Sequence, residues 1–572
     1  GQIGGNASIN VLASSGITAG GDVSFDLGNN HGSGTPAGII GGNAMIDVTA
    51  GHISAGNFIH GTIDNEGGTV GGAATISLDI SGAIASQNNA FFTIIGNEDN
   101  GSGSGPGMIA GNATINVNAG SISIGGDDLF HSTIFNEGGG SIGGNAGIDF
   151  NISGDITTPS DIIFNIENGN INANGGGTIA GNAFIDVTAG NITANSLVVQ
   201  IDNSTPGGNG TIGGSIGGDA TINVTTGDIT AGTLTAQIDN TGGSIGANTE
   251  GGATINMNVS GTATVTNDAT VAIYGSDGAV GGAGININGG NYNVGGTFLS
   301  YIDGNGTITF NNASAHADVL KAGVFGTNGA LNIGGGMLSA DSTLKLYAPG
   351  SNGQLNFMSN VTLGGNAAKI LAANSITISN NVVVTISIGG PIADVYTNHA
   401  NYTGFGGNGT TTGTFAGAGA HNPQPLSSAP PFGPASPVKL TIGGNIPTGT
   451  GVPPQSRPAR TPAAGGNITS RTRIPPPSPS NVLTGGKIAD VRRANNVINV
   501  RSSDELLSLL DGAGPGPGGK ITIPPSKHAS NSKNSSRVDP AARLNAGNRV
   551  NVDRRAMDMR TASSAVMRRS PQ

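Results

Sequence analysis

A short anchor of the form Gly/Ala-Gly-Asn/Gly/Asp-Ala recurs along the first half of the chain, and each copy is followed by strict alternation of apolar and polar residues. It begins at Gly4, Gly41, Gly71, Ala110, Gly143, Ala180, Gly217 and Glu250, with a weaker copy at Gly281. The stretch 180–195, AGNAFIDVTAGNITAN, nearly restates 41–56, GGNAMIDVTAGHISAG. In Ala183-Phe184-Ile185-Asp186-Val187-Thr188 and Ala220-Thr221-Ile222-Asn223-Val224-Thr225 the Ile and Val fall on one side of an extended chain and the Thr, Asn and Asp on the other. Period-two patterning of this kind marks a half-buried strand. Steps of 30 to 39 residues between anchors are too variable for an array of helical hairpins, and no 3.6-residue period is present.

Within one repeat the first strand is followed by a turn at Ala189-Gly190, then Ile192-Thr193-Ala194, then a segment ending in Ile201-Asp202-Asn203, then a Gly-rich corner leading to Ile212 or Ile216. Short strands with sharp corners and no Asn-Gly hairpin turn between equal partners imply winding rather than meandering. The expectation is an all-β fold, a parallel β-helix solenoid. A period near 37 divides into two rungs of roughly 18–19 residues, giving around seventeen coils over residues 1–310 and a rod roughly 80 Å long at an inter-strand spacing of about 4.8 Å.

The composition fits a narrow interior. The chain has 572 residues with 102 Gly, six Tyr, sixteen Phe and no Trp. Stacked Ile, Val, Leu and Ala fill such a coil, and aromatic bulk overfills it. Asn65, Asn136, Asn168, Asn203 and Asn240 each follow an Ile-containing strand at an equivalent corner, and they are expected to form a hydrogen-bonded structural column.

Cysteine is absent, which excludes disulfides and thiolate metal sites. It also suits a chain that crosses an outer membrane unfolded. No run of 18 apolar residues exists, so no transmembrane helix is expected. The sequence opens on Gly1 with no basic and apolar leader pattern, so any export signal is expected to have been removed or to lie outside this stretch. Charge divides the chain. Residues 1–400 carry 27 acids against three Lys and no Arg, whereas residues 401–572 carry 20 Lys and Arg against seven acids. Such an asymmetry marks different kinds of structure on either side.

The anchors, the Ile-x-Val strands and the Gly-Asn-Ile-Thr-Ala phrases resemble the repeat regions of filamentous-haemagglutinin-like exoproteins, the passengers of two-partner secretion in Gram-negative bacteria. The resemblance covers roughly residues 1–400, including Gly353-Gln-Leu-Asn-Phe, Leu363-Gly-Gly-Asn-Ala-Ala and Ile376-Thr-Ile-Ser-Asn-Asn-Val-Val-Val. It implies a secreted or cell-surface, right-handed β-helical rod, often an adhesin, exported through an outer-membrane pore-forming transporter. No N-terminal secretion domain and no C-terminal run of barrel-forming strands is read around the repeats, so the stretch is expected to start inside a longer protein and not to be a self-sufficient autotransporter.

The expected domains are 1–310, regular β-helix repeats; 311–416, irregular terminal coils or a cap; and 417–572, a low-complexity, disordered Pro/Gly/Arg-rich tail. In the second, alternation persists while Lys321, Lys345 and Lys369 are candidates for protecting an open strand edge. In the third, Pro clusters at 423–437, 447–462 and 475–479 read as an extended or disordered linker, and Ser502 with Glu505 fits the capping box of a short helix at 504–510. The Arg-rich stretch from about 527 lacks interleaved aromatics, so no nucleic-acid partner is expected.

Several stretches imitate catalytic motifs. Gly-x-Ser-x-Gly occurs at Gly139–Gly143, Gly213–Gly217 and Gly242–Gly246, always at the same corner of the repeat and without the helix that a nucleophile elbow requires. Gly-x-Gly-x-x-Gly at Gly208–Gly213 opens no helix, and Gly514–Lys520 is followed by Ile521 where a phosphate loop needs Ser or Thr. Asp127-Asp128 is the best carboxylate pair, without a basic cluster to receive an anionic sugar; with Glu98-Asp99-Asn100 it lies in Gly-rich sequence that fits no calcium motif. The eight His are scattered without ligand spacing and read as surface or loop residues. No catalytic, cofactor-binding or metal-binding residue is assigned. The reading is a non-enzymatic β-helical rod, an adhesin or structural exoprotein that meets a host, matrix or carbohydrate surface. The alternatives are a carbohydrate-active β-helical lyase or hydrolase, and a biofilm or surface scaffold without a receptor.

Overall fold

Each alternating segment after an anchor becomes one strand of the longest wall of a parallel β-helix. Its strands are Ala7–Ala13, Ala44–Ala50, Ala74–Ser86, Ala113–Ile124, Ala146–Ile152, Ala183–Thr188, Ala220–Thr226, Ala253–Val259 and Ala283–Asn288. Every one pairs in parallel with the next, with the anchor alanines in register: Ala7 on Ala44, Ala146 on Ala183, Ala183 on Ala220. The computed structural model describes residues 1–29, 38–87, 91–97, 106–126, 129–169, 175–205, 213–246, 251–275, 282–387, 390–401 and 413–438, with the backbone of 499–500. All lie in the first of two units, Gly1–Gly518 and Gly519–Gln572.

The coil is twice as large as the expected rung. Asn43 bonds back to Asn6 across 37 positions, and Asn145 to Asn112 across 33, so one whole repeat makes one turn of the solenoid. The anchors through Gly281 therefore start nine coils, not seventeen. The physical reason is that one turn uses four walls. After the long wall come a short strand such as Ile53–Ala55, a third wall such as Ile59–Asp64, and a two-residue wall such as Thr69–Val70. The two-residue strands of the fourth wall form a sheet of their own, from Gln2–Ile3 to Ser244–Ile245. Beyond Ala283 the fourth wall is dropped and the turn shrinks: Asn328 bonds to Asn305 across 23 positions, and Asn356 to Asn332 across 24.

The inward letters stack like on like. Ile46, Ile76, Ile115, Ile148, Ile185, Ile222 and Ile255 form one column, all fully buried. Burial of each such side chain contributes about 1.5–3 kcal/mol. Phe91, Phe130, Phe150 and Phe164 make an aromatic knot inside the regular coils, with Phe150 and Phe164 ring centroids 4.8 Å apart.

Polar ladders hold the corners. Asn29, Asn65, Asn97, Asn136, Asn168, Asn203 and Asn240 are buried, and each of the first six donates from Nδ2 to Oδ1 of the next at 2.6–2.8 Å. The same nitrogens also donate to a backbone carbonyl of the two-residue wall, as in Asn136 to Thr178 at 3.1 Å. The column read from the sequence is thus structural, and Asn29 and Asn97 belong to it as well. At the anchor corner Oδ1 of Asn145 accepts from the backbone N–H of Asn182 at 2.9 Å. The glycine before that Asn is required by the close approach, since a Cβ on Gly181 would lie 2.1 Å from Oδ1 of Asn145.

The far end of the rod is closed by residues beyond 417. Tyr396 and Ala393 of the edge strand Ala393–Asn401 bridge to Gln424 and Ala420, and the backbone N–H of Thr397 donates to the Gln424 carbonyl at 2.9 Å. Pro423 and Pro425 flank that contact and offer no N–H to a further strand. None of the three lysines guards this edge. Lys321 and Lys345 stack in register on the third wall, and Lys369 occupies an inward column, its Nζ donating to the carbonyls of Gly365 and Ala367 at 3.0 and 3.1 Å. The Pro-rich segment through 438 makes one 3-10 turn at Leu426–Ser428, is otherwise extended, and lies against the rod. The expected helix at 504–510 and the Arg-rich stretch fall outside the described residues.

Candidate binding face

The outward letters of the long wall form a flat array of three polar columns. One runs Thr75, Thr114, Gly147, Phe184, Thr221, Thr254; the next Ser77, Asn116, Asp149, Asp186, Asn223, Asn256. Rungs sit about 4.8 Å apart and columns about 7 Å apart, because alternate residues share a face. Asn286 donates to Asn256 at 2.8 Å and Asn256 to Asn223 at 2.6 Å, and Asn223 in turn donates to the Asp186 carboxylate. These side chains are pre-ordered by one another.

The ladder ends in a distinct cluster. Asp149 and Asp186 are in register on adjacent rungs, and burial together with the Asp186 charge pushes the Asp149 carboxyl above its usual range. Beside them the Phe184 ring lies over Gly147, where a Cβ would meet ring carbons at 2.1–2.7 Å. A half-buried aromatic ring, two stacked carboxylates and the Asn223 amide thus share one patch. Sequence reading placed Asp186 among the outward residues, but it did not see that Asp149 lies on the neighbouring rung or that Gly147 makes room for Phe184.

A second constellation sits on the third wall. Ser24 Oγ lies 2.6 Å from His60 Nε2, and the same nitrogen is 3.2 Å from Asp26, whose carboxylate also receives the Ser24 hydroxyl. Serine and carboxylate meet the same ring nitrogen, so the acid cannot orient the ring from the far side as a nucleophilic triad requires. His131, in register with Phe92, is fully buried, and burial pulls its pKa from 6.5 down to about 4. Both histidines are strand residues, and the fully buried His131 departs from the surface or loop position expected of the histidines.

The remaining candidates divide simply. Ser141, Ser215 and Ser244 of the Gly-x-Ser-x-Gly stretches occupy the two-residue wall, and their carbonyls accept from Asn97, Asn168 and Asn203. Their role is to close the Asn ladder. Glu98-Asp99-Asn100, Asp127-Asp128, positions 208–212 of the Gly-x-Gly-x-x-Gly stretch and Gly514–Lys520 lie outside the described residues. Among the described residues no three His, Asp or Glu side chains group to hold a metal ion, and no helix is long and apolar enough to cross a membrane.

Fold and face together define a parallel β-helical repeat protein with a polar, ladder-ordered outer wall. No protein-family model, no curated protein and no solved structure matches the chain.

Proposed function

We propose that this protein is a secreted or cell-surface, haemagglutinin-like rod that adheres to carbohydrate through the long wall, without chemical turnover. The carrying observation is the patch of Phe184 over Gly147 beside Asp149, Asp186 and Asn223. A flat ring stacks on the apolar face of a sugar, and carboxylate and amide groups bond its hydroxyls. An acidic wall favours neutral or amino sugars over uronates. Repetition of Thr and Asn rungs on either side extends the contact along a chain of sugars. Export by a partner transporter and a Gram-negative surface location belong to the same reading, which rests there on the resemblance in repeat pattern alone.

One observation favours the carbohydrate-active alternative. Two carboxyls one rung apart, about 4.8 Å, approach the roughly 5–5.5 Å of retaining glycosidases, and a raised pKa is what a general acid needs. Incubating the full chain with a panel of neutral and amino-sugar polymers separates the two. Retention of the polymer without new reducing ends supports adhesion; release of reducing ends that disappears in Asp149→Asn supports the enzyme.

A further inference from the structure

The third wall carries a column whose residues alternate in size along the irregular coils: Tyr301, Gly323, Tyr347, Ala372 and Tyr396 lie in register on successive rungs. Small residues between rings leave slots two rungs apart, about 9.6 Å. The segment 425–438 runs over this column. Its Phe432 ring sits over Gly323, 5.3 Å from the Tyr347 ring, 6.1 Å from Tyr301 and 5.0 Å from Phe325. A Cβ on Gly323 would lie 3.0 Å from that ring, so the glycine makes the slot. Leu426 and Ala429 pack into the same apolar cluster. Leu426 sits on a 3-10 turn at Leu426–Ser428, whereas Ala429 and Phe432 lie three positions apart on extended chain, where three residues of polyproline II span about 9.3 Å, close to the slot spacing.

Polar contacts follow the same logic. Tyr347 Oη donates to the Pro430 carbonyl at 2.7 Å, Lys345 Nζ to Pro431 at 2.6 Å and Phe432 at 3.1 Å, and Tyr274 Oη to Ser436 at 2.9 Å. Gln237 exchanges two bonds with the backbone of Val438. The wall thus presents donors to main-chain carbonyls, the groups a proline-flanked extended peptide leaves unbonded.

We infer that this wall is a binding groove for proline-rich peptides whose extended part carries two apolar residues three positions apart, and that segment 425–438 is its resident ligand, exchangeable for the same segment of a second copy. One buried aromatic residue and a handful of carbonyl contacts hold the segment, and every copy carries both groove and ligand. Binding in cis is favoured by tethering, which raises the local concentration of the segment to about the millimolar range. The inference is independent of the carbohydrate reading.

The probe is a fluorescent peptide of residues 425–438, with anisotropy measured against the full-length chain. Phe432→Ala should empty the slot, so this variant should bind the peptide at least tenfold more tightly than the wild-type chain does. Adding Gly323→Leu should abolish that binding, and a peptide with Ala in place of Phe432 should lose at least tenfold. A second opener, Pro430→Gly with Pro431→Gly, decides the matter if Phe432→Ala loses its β-sheet circular dichroism. Openers that bind no better than wild type, or that bind the Phe-less peptide equally well, overturn the inference.

Discussion

Asn168 donates one Nδ2 hydrogen to Oδ1 of Asn203 at 2.7 Å and the other to the Ser215 carbonyl at 3.2 Å, so a single amide ties its coil twice to the neighbouring one, at the ladder and at that neighbour's two-residue wall. Asn136 donates in turn to Oδ1 of Asn168. Both ends of the side chain are therefore occupied inside a dry corner.

Asn168→Ala orphans the Asn136 donor and the Asn203 acceptor. At about 1–3 kcal/mol for each unsatisfied buried group, the loss should reach about 2–6 kcal/mol in urea unfolding. Asn145→Ala, at the exposed anchor corner, should cost no more than about 1 kcal/mol because water replaces its bond to Asn182. Equal losses at the two corners would contradict the distinction.

His131 gives a signed pH dependence. Its folded pKa of about 4 lies below the ordinary 6.5, so the unfolded chain takes up the proton first as pH falls. Stability from this group is complete above pH 6.5 and is lost progressively down to about 4. The loss is on the order of 3 kcal/mol from the shift. His131→Phe, which matches Phe92 on the adjacent rung, should remove that component when unfolding is followed between pH 7 and pH 4.

For Asp149 the sign is opposite. A carboxyl raised above its ordinary 3.8 binds its proton more tightly when folded, so stability falls as pH rises through the folded value. Asp149→Asn should be more stable than the wild-type chain at pH 7 and indistinguishable from it at pH 3. A variant that is less stable at pH 7 would show that the carboxylate has a favourable partner.

The coil length can be tested covalently because the chain contains no cysteine. Thr221 and Thr254 are register partners on adjacent rungs, about 4.8 Å apart. That spacing falls within disulfide range, so Thr221→Cys with Thr254→Cys should cross-link under mild oxidation. Thr221→Cys with Ser204→Cys, about half a repeat apart, should not; the reverse outcome would restore the smaller rung.

Strand identity, facing and the Asn column were legible because period-two alternation and repeated corners act locally. Coil size was not, since the Gly-rich two-residue wall carries only one buried residue per turn, such as Ile179 or Ile216, and resembles a corner in sequence. The binding patch was hidden for another reason. Asp149 and Asp186 are 37 positions apart and become neighbours only once the register is known. The docking of Phe432 was equally hidden, because its slot exists only where Gly323 falls between two tyrosines on stacked rungs.

The most direct test of the central claim is retention of the full-length chain on a printed array of neutral and amino-sugar glycans, compared with the variant Phe184→Ala, Asp149→Asn, Asp186→Asn. The account predicts that the wild-type chain is retained on a defined subset and that the variant, with unchanged circular dichroism, loses at least tenfold on that subset. A variant retained as strongly as the wild type, or a wild-type chain retained on no glycan at all, would contradict recognition by this wall.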